Sequence, residues 1–292
     1  MQTLHVGSGT THGALTVFPI WGEHATLPRH TTRMAHVRVA EQAGGPSVGN
    51  LVMTNLAAHP ALVFEGQVLE GGWQTRMLTR SMLLPANAET PVDVVCVEAG
   101  RWEGSRTHRS MGRRASTRVR AGLRAQRPQP GQASPDRQQE VWRRVSEYDA
   151  RFGANATSSF AVHADRAADE VGRLVHGLKA LPGQIGVMVA IGGQPVFTEV
   201  FGTSMTLHRE FDSIVRAAAL DALGAEPIAT PSRRARRFLD RAARLPIAAV
   251  APAGIGMELR ARDDYVDLHG LGWNGRAAHL VLANPRHALA GA

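Results

Sequence analysis

The chain has 292 residues, enough to bury a substantial core in one large domain or two small ones, and carries 33 basic against 25 acidic residues for a net charge of +8. Its lone cysteine, Cys96, excludes an internal disulfide framework and a multi-cysteine metal site, and suits a reducing compartment. Residues 1–20 hold no Lys or Arg, and no apolar run approaches the ~20 residues that span a bilayer, so a soluble cytoplasmic protein with no secretory signal and no membrane partner is expected.

From Gly13 to Val97 the apolar residues come as short runs rich in Val, Leu and Thr, parted by Gly, Pro, Asn or Ala, as in ALTVFPIW, VGNLVMTNL, ALVFEGQVLEGG and TPVDVVCVE. These predict strands. The segment Arg106 to Pro135 lacks an apolar period and reads as a long exposed connection. Ser134-Pro135 then opens a helix to about Ala150, with Val141, Val145 and Tyr148 on one face. Asp165 caps a second helix that presents Val171, Leu174, Val175 and Leu178 and ends at Leu181-Pro182-Gly183. Two strands around Gly192-Gly193-Gln194-Pro195 form a hairpin. A third helix carries Phe211, Ile214, Val215 and Ala218 to near Gly224. A fourth begins after Ser232 with Phe238, Leu239 and Ala242 inward, and four strands close the chain. Strands lead, helices occupy the middle and strands return without alternating βαβ units. The expected fold is α+β with mostly antiparallel sheet, a single domain over 1–292 with a flexible Arg-rich connection at about 104–133.

The stretch Phe64 to Trp102 concentrates polar groups that a merely structural β-segment avoids. Gln74 and Arg76 share a face of one strand, and Cys96 and Glu98 share a face of another if that strand stays regular. A carboxylate such as Glu98, at the end of so apolar a strand, needs a cationic partner, either Arg76 or Arg101. It is either a plain buried ion pair or a pair whose spare donors face a ligand. Ser81 lacks a paired His and reads as a structural or binding hydroxyl. Cys96, between Val95 and Val97, reads as an inert thiol. The 13 histidines show no ligand spacing, so no metal site is expected. Gly270-Leu-Gly272-Trp-Asn-Gly275 satisfies GxGxxG, but too little chain follows for a dinucleotide fold; it is a turn between strands. Residues 101–127 hold nine Arg against one acid, Glu103, which alone amounts to the net +8. That cluster is read first as a solvated loop, second as a lid over a phosphorylated ligand and third as a nucleic-acid grip.

The run Glu65-Gly66, Gly71-Gly72, Gln74, Arg76, Ser81, Pro85 and Cys96-Val97-Glu98-Ala99-Gly100-Arg101-Trp102 resembles the ADP-ribosylglycohydrolase and rhodanese-phosphatase associated protein family. Gln139-Glu140-Val141-Trp142, the Thr157-Ser158 region, the Gly183 to Ile191 strand and Ala278-His279-Leu280 follow the same pattern in order. The resemblance implies a ligand related to NAD or ADP-ribose and specifies no cofactor. By position it carries over Gln74, Arg76, Ser81, Glu98, Arg101 and Trp102, with Gln139, Trp142 and His279 ranked below them. The family pattern often has Lys before the matching Gln and Asn or Asp after it; Trp73 and Thr75 stand there here, which argues against paired-carboxylate chemistry. The expectation is a chain that binds a small phosphorylated nucleotide-like ligand, with hydrolysis an open alternative. Arg76 and Arg101 would hold phosphate, Gln74 would read a sugar or amide, Trp102 would wall the pocket, and Glu98 would orient an arginine or serve as the catalytic base. A non-catalytic sensor or protein-interaction module, and a nucleic-acid binder using the Arg-rich loop, are the alternatives.

Overall fold

The computed structural model describes residues 3–45, 47–124 and 136–290. It is an α+β fold whose strand ladders are all antiparallel. The chain packs as two compact units: Met1–Pro28 with Glu170–Ala292, and Arg29–Asp169. The chain opens with β1 (Leu4–Val6), β2 (Thr10–His12) and β3 (Leu15–Gly22) in the first unit.

It then builds the second unit from β4 (Val37–Ala40), β5 (Asn50–Asn55), β6 (Ala61–Val63), β7 (Val68–Gly71), β8 (Arg76–Leu78), β9 (Met82–Leu84), β10 (Glu89–Cys96) and β11 (Thr107–Arg109). Six of these close into a barrel in the order β10-β5-β4-β11-β7-β8, while β6 pairs β9. Alternation sets the register. In β5 Leu51, Met53 and Asn55 are buried while their neighbours are not, and β4 and β11 do the same with Val37, Val39 and His108. Cross-strand pairing places Val39 opposite Met53 and His108, Leu51 opposite Val92, and Arg76 opposite Cys96. One buried face of the barrel is therefore apolar along much of its length and polar at the Arg76–Cys96 level.

Four helices complete this unit: α1 (Thr117–Ala121), α2 (Arg137–Ser146), α3 (Asp149–Phe152) and α4 (Phe160–Arg166). Asp136 caps α2 by accepting from the backbone N–H groups of Gln138 and Gln139. The expected Ser134-Pro135 start lies outside the described residues, and Val141, Val145 and Tyr148 are buried as expected. Asp165 sits within α4 rather than capping a helix, because the helix begins at Phe160 and breaks at Ala167. The exposed connection expected at Arg106 to Pro135 is, as far as Arg124, part of the fold. It contains β11 and α1, and Arg114, Arg120 and Arg124 are buried. Glu65 attracts two of them, with Arg120 Nε at 3.3 Å and Arg124 Nη2 at 3.0 Å from Oε1, and its backbone carbonyl accepts from Arg114. Carboxylate pairing overrides the local lack of an apolar period.

Helix α5 (Ala168–Val175) leads back to the first unit, followed by β12 (Gly186–Ile191), β13 (Gln194–Phe201), α6 (Ser204–Ala222), α7 (Ser232–Ala242), β14 (Ala248–Ala253), β15 (Gly256–Arg262), β16 (Asp267–Trp273) and β17 (Arg276–Ala283). The sheet runs β1-β3-β12-β13-β17-β16-β15-β14, with β2 added to β3. Gly192 and Gly193 both take positive φ (57° and 82°), the conformation a two-residue hairpin turn demands. Gly270 and Gly272 lie in β16, and Asn274-Gly275 makes the turn to β17. Helix α7 packs Ala235, Phe238, Leu239 and Ala242 against Phe18, Ile20, Met188, Val200, Leu268 and Leu280. Among the described residues no helix is long and apolar enough to cross a membrane.

Phe18 is fully buried in this cluster. Phe18→Ala is expected to cost about 3–5 kcal/mol in urea unfolding, whereas the half-exposed Val250→Ala should stay within about 0.5 kcal/mol. Equal costs would contradict the placement of the core.

Candidate functional site

The β8–β10 pair carries the polar end of the barrel. Arg76 is fully buried, and its Nη1 donates to Gln74 Oε1 at 2.7 Å and to Cys96 Sγ at 2.7 Å; the thiol in turn donates to the same Gln74 oxygen at 3.0 Å. Gln74 Nε2 donates to the Ala99 carbonyl, which fixes the amide's orientation. Arg76 Nε and Nη2 find no hydrogen-bond partner among the described residues. The facing carboxylate, Glu41, stands 4.0 Å from Nη2 with both side chains fully buried. Glu41 Oε1 contacts His108 Nε2 at 3.1 Å and accepts from Trp73 N at 3.5 Å, while its Oε2 has no hydrogen-bond partner among the described residues.

Unmet donors and acceptors on buried charged groups cost about 1–3 kcal/mol or more each. Arg76 and Glu41 are therefore a buried charged pair with hydrogen-bonding capacity left over among the described residues. Trp102 lies with its ring centroid 5.6 Å from the Arg76 guanidinium carbon and packs edge-on against Trp73 at 5.6 Å. At 44% exposure Trp102 runs from this cluster to the surface.

Titration properties separate the groups. Burial is the largest influence on Cys96 and, with Glu41 and Glu98 adding to it against Arg76, lifts the thiol to about 11; it is inert near neutral pH. Burial also leads for His108 and lowers its pKa, outweighing Glu41 and the Leu69 carbonyl, so the imidazole is neutral. Gly72 (φ +57°) makes room for that ring, since a Cβ there would lie 2.1 Å from the His108 Cε1 and Nε2 atoms.

Glu98 belongs to a different construction. The strand ends at Cys96, and after a bend at Val97 the Glu98 carboxylate accepts from the Thr75 backbone N–H and hydroxyl, both at 2.9 Å. Arg101 grips it in a fork, Nε to Oε1 at 3.1 Å and Nη2 to Oε2 at 2.8 Å. The remaining Arg101 donors go to the carbonyls of Gly71, Gly72 and Glu103, so all five are engaged within the protein. Burial, the largest influence on Glu98, raises its pKa; Arg101, Thr75 and Thr157 together overcome it and hold the carboxyl below its ordinary value.

The chain matches the ARG and Rhodanese-Phosphatase-superfamily-associated Protein domain over residues 3–283. It belongs to that family. No curated protein and no solved structure matches it. The family match extends across both compact units, and the residues that resemblance carried over divide into separate places. Gln74, Arg76 and Trp102 come together with Cys96 in the barrel. Glu98 and Arg101 form the clamp on the Gly71-Gly72 turn. Ser81 accepts from the Glu65 backbone N–H at 3.0 Å and so joins the Glu65–arginine cluster. Gln139 is exposed on α2, and its neighbour Gln138 instead brackets Cys96, accepting from its N–H at 2.7 Å and donating to its carbonyl at 2.8 Å. Trp142 is half-buried on α2, whose helix packs on β10. His279 lies in the sheet unit, 3.2 Å from Glu199.

Sequence reasoning missed Glu41, His108, Trp73 and Gln138. For Glu41 the signal was the alternation Val37, Val39, Glu41, which aims the carboxylate inward. Arg113, Arg118, Arg120 and Arg124 are paired with carboxylates, and Arg106 and Arg114 donate to backbone carbonyls.

Because its folded pKa is depressed below 4.5, Glu98 contributes stability that is complete above that value and lost as pH falls through the lower folded one. Glu98→Gln should lower stability at pH 7 by roughly 1.5–3 kcal/mol and flatten the acid limb of the stability–pH profile. An unchanged acid limb in the variant would show that the clamp does not govern it.

Proposed function

We propose that the polar end of the barrel binds a small phosphorylated nucleotide-like ligand related to NAD or ADP-ribose, in the cytoplasm. The observation that carries this reading is Arg76, fully buried, with no hydrogen-bond partner among the described residues for Nε and Nη2 or for the Oε2 of neighbouring Glu41. Glu41 next to Arg76 disfavours a phosphate dianion at that spot. A sugar hydroxyl or a carboxamide, which accepts from Arg76 and donates to Glu41, fits both. Trp102 supplies an exposed π-face for a base or nicotinamide ring, and Gln74 holds Arg76 in position. The choice of the ADP-ribose class comes from the family resemblance alone, whose description names an association with ARG.

Binding is favoured over hydrolysis by the state of the two residues best placed by sequence to do chemistry. Cys96 stays a protonated thiol, and Glu98 is saturated with hydrogen bonds and orients Arg101 rather than acting as a base. An acid–base pair does lie beside Arg76: Glu41 and His108, a buried carboxylate and a neutral imidazole 3.1 Å apart. The nucleic-acid alternative has less support, since Arg114, Arg120 and Arg124 are buried within the fold and engaged there.

A thermal-shift panel of NAD, NADP, ADP-ribose and short oligonucleotides, followed by mass analysis of each mixture, tests this. A ligand at a hundred times its Kd should add about 2.7 kcal/mol. ADP-ribose or NAD is expected to stabilise the chain and be recovered unchanged, and Arg76→Met and Glu41→Gln, checked for folding by circular dichroism, should abolish the shift. The absence of a shift with any nucleotide would reject the reading; recovery of a cleaved product would replace binding with hydrolysis.

A further inference from the structure

The sheet unit contains a cavity of about 490 Å³ that shares no residue with the barrel cluster. Its walls are Leu4, Val200, Ile247, Leu259, Trp273 and Leu280, and polar side chains enter its lining only at Asn274 and Arg276, on the β16–β17 turn. Val200 and Leu280 are members of the core beneath α7, and Leu4, Ile247 and Leu259 pack against it, so the cavity extends that core outward. Interiors normally close to crystal-like density, and an apolar wall facing no neighbour forfeits its dispersion contacts. At the rim Ile255 and Met257 are 49% and 41% exposed. Arg276 is exposed and makes no salt bridge among the described residues.

The volume falls within the range of small-molecule sites, about 300–1,000 Å³, and an apolar lining with a few convergent polar groups is their usual make-up. We infer that this cavity binds a small amphipathic anion, an apolar chain or ring seated against Leu4, Leu259 and Trp273 with a terminal carboxylate at Arg276. Arg276 suits that end because a guanidinium matches a carboxylate with two parallel hydrogen bonds. The inference stands apart from the barrel reading, since neither site uses the other's residues.

Decanoate and decanol serve as probes of the full chain, read by tryptophan fluorescence with Trp273→Phe as the control that assigns the signal. Decanoate is expected to bind saturably at one site and to change the Trp273 emission. Ala249→Phe, which places a ring in the cavity from an exposed strand position, should weaken decanoate at least about tenfold with the melting temperature preserved. Arg276→Gln should weaken decanoate about fivefold or more and leave decanol unaffected. No saturable decanoate binding, or binding equally tight in Ala249→Phe, would overturn the site. Equal decanoate affinity in Arg276→Gln would overturn the assignment of the carboxylate to Arg276.

Discussion

The second unit is organised by the cost of burying charge. Removing a guanidinium from water is tolerable only when its donors and its charge are answered nearby. Among the described residues of the barrel unit, two arginines meet that requirement fully. Arg101 has five acceptors, and Arg113 has two carboxylates. Arg76, the most deeply enclosed, has Gln74 and Cys96 on one nitrogen and a carboxylate at 4.0 Å.

The two layers around it divide the work. The Glu98–Arg101 clamp ties the end of β10 to the carbonyls of the Gly71-Gly72 turn, and that turn supports the His108 ring over Gly72. Gln138 brackets the Cys96 backbone from α2 and holds the end of β10 where the ladder stops. Between these supports Gln74 Oε1, Arg76 Nη1 and Cys96 Sγ are committed to one another, which holds the three side chains in place. Preorganisation of this kind lowers the entropy a ligand must supply on binding.

Much of this was legible in the residues. Val141, Val145 and Tyr148, the Gly192-Gly193 turn and the inward face of α7 all follow local period and turn chemistry, which act within a few residues. The division into two units was not legible, because β3 completes its sheet with β12 from the far half of the chain. The same non-locality hid His108 and Glu41: they meet Arg76 only because the barrel closes. Glu98 was read correctly as a carboxylate needing an arginine, but its expected face depended on a regular strand, and β10 ends two residues earlier. Gln139 is exposed, while Gln138, one residue earlier and turned by about 100° on the helix, reaches the Cys96 backbone.

The central claim is that Arg76 and Glu41 together receive one polar group of a nucleotide-like ligand. A crystal structure of the protein grown with ADP-ribose tests it most directly. The account predicts ligand density in the barrel, with a hydroxyl oxygen within hydrogen-bonding distance of Arg76 Nη2 or Nε and of Glu41 Oε2. Density for the ligand elsewhere, with the Arg76–Glu41 contacts unchanged, would contradict it and leave the pair as a structural feature of the barrel.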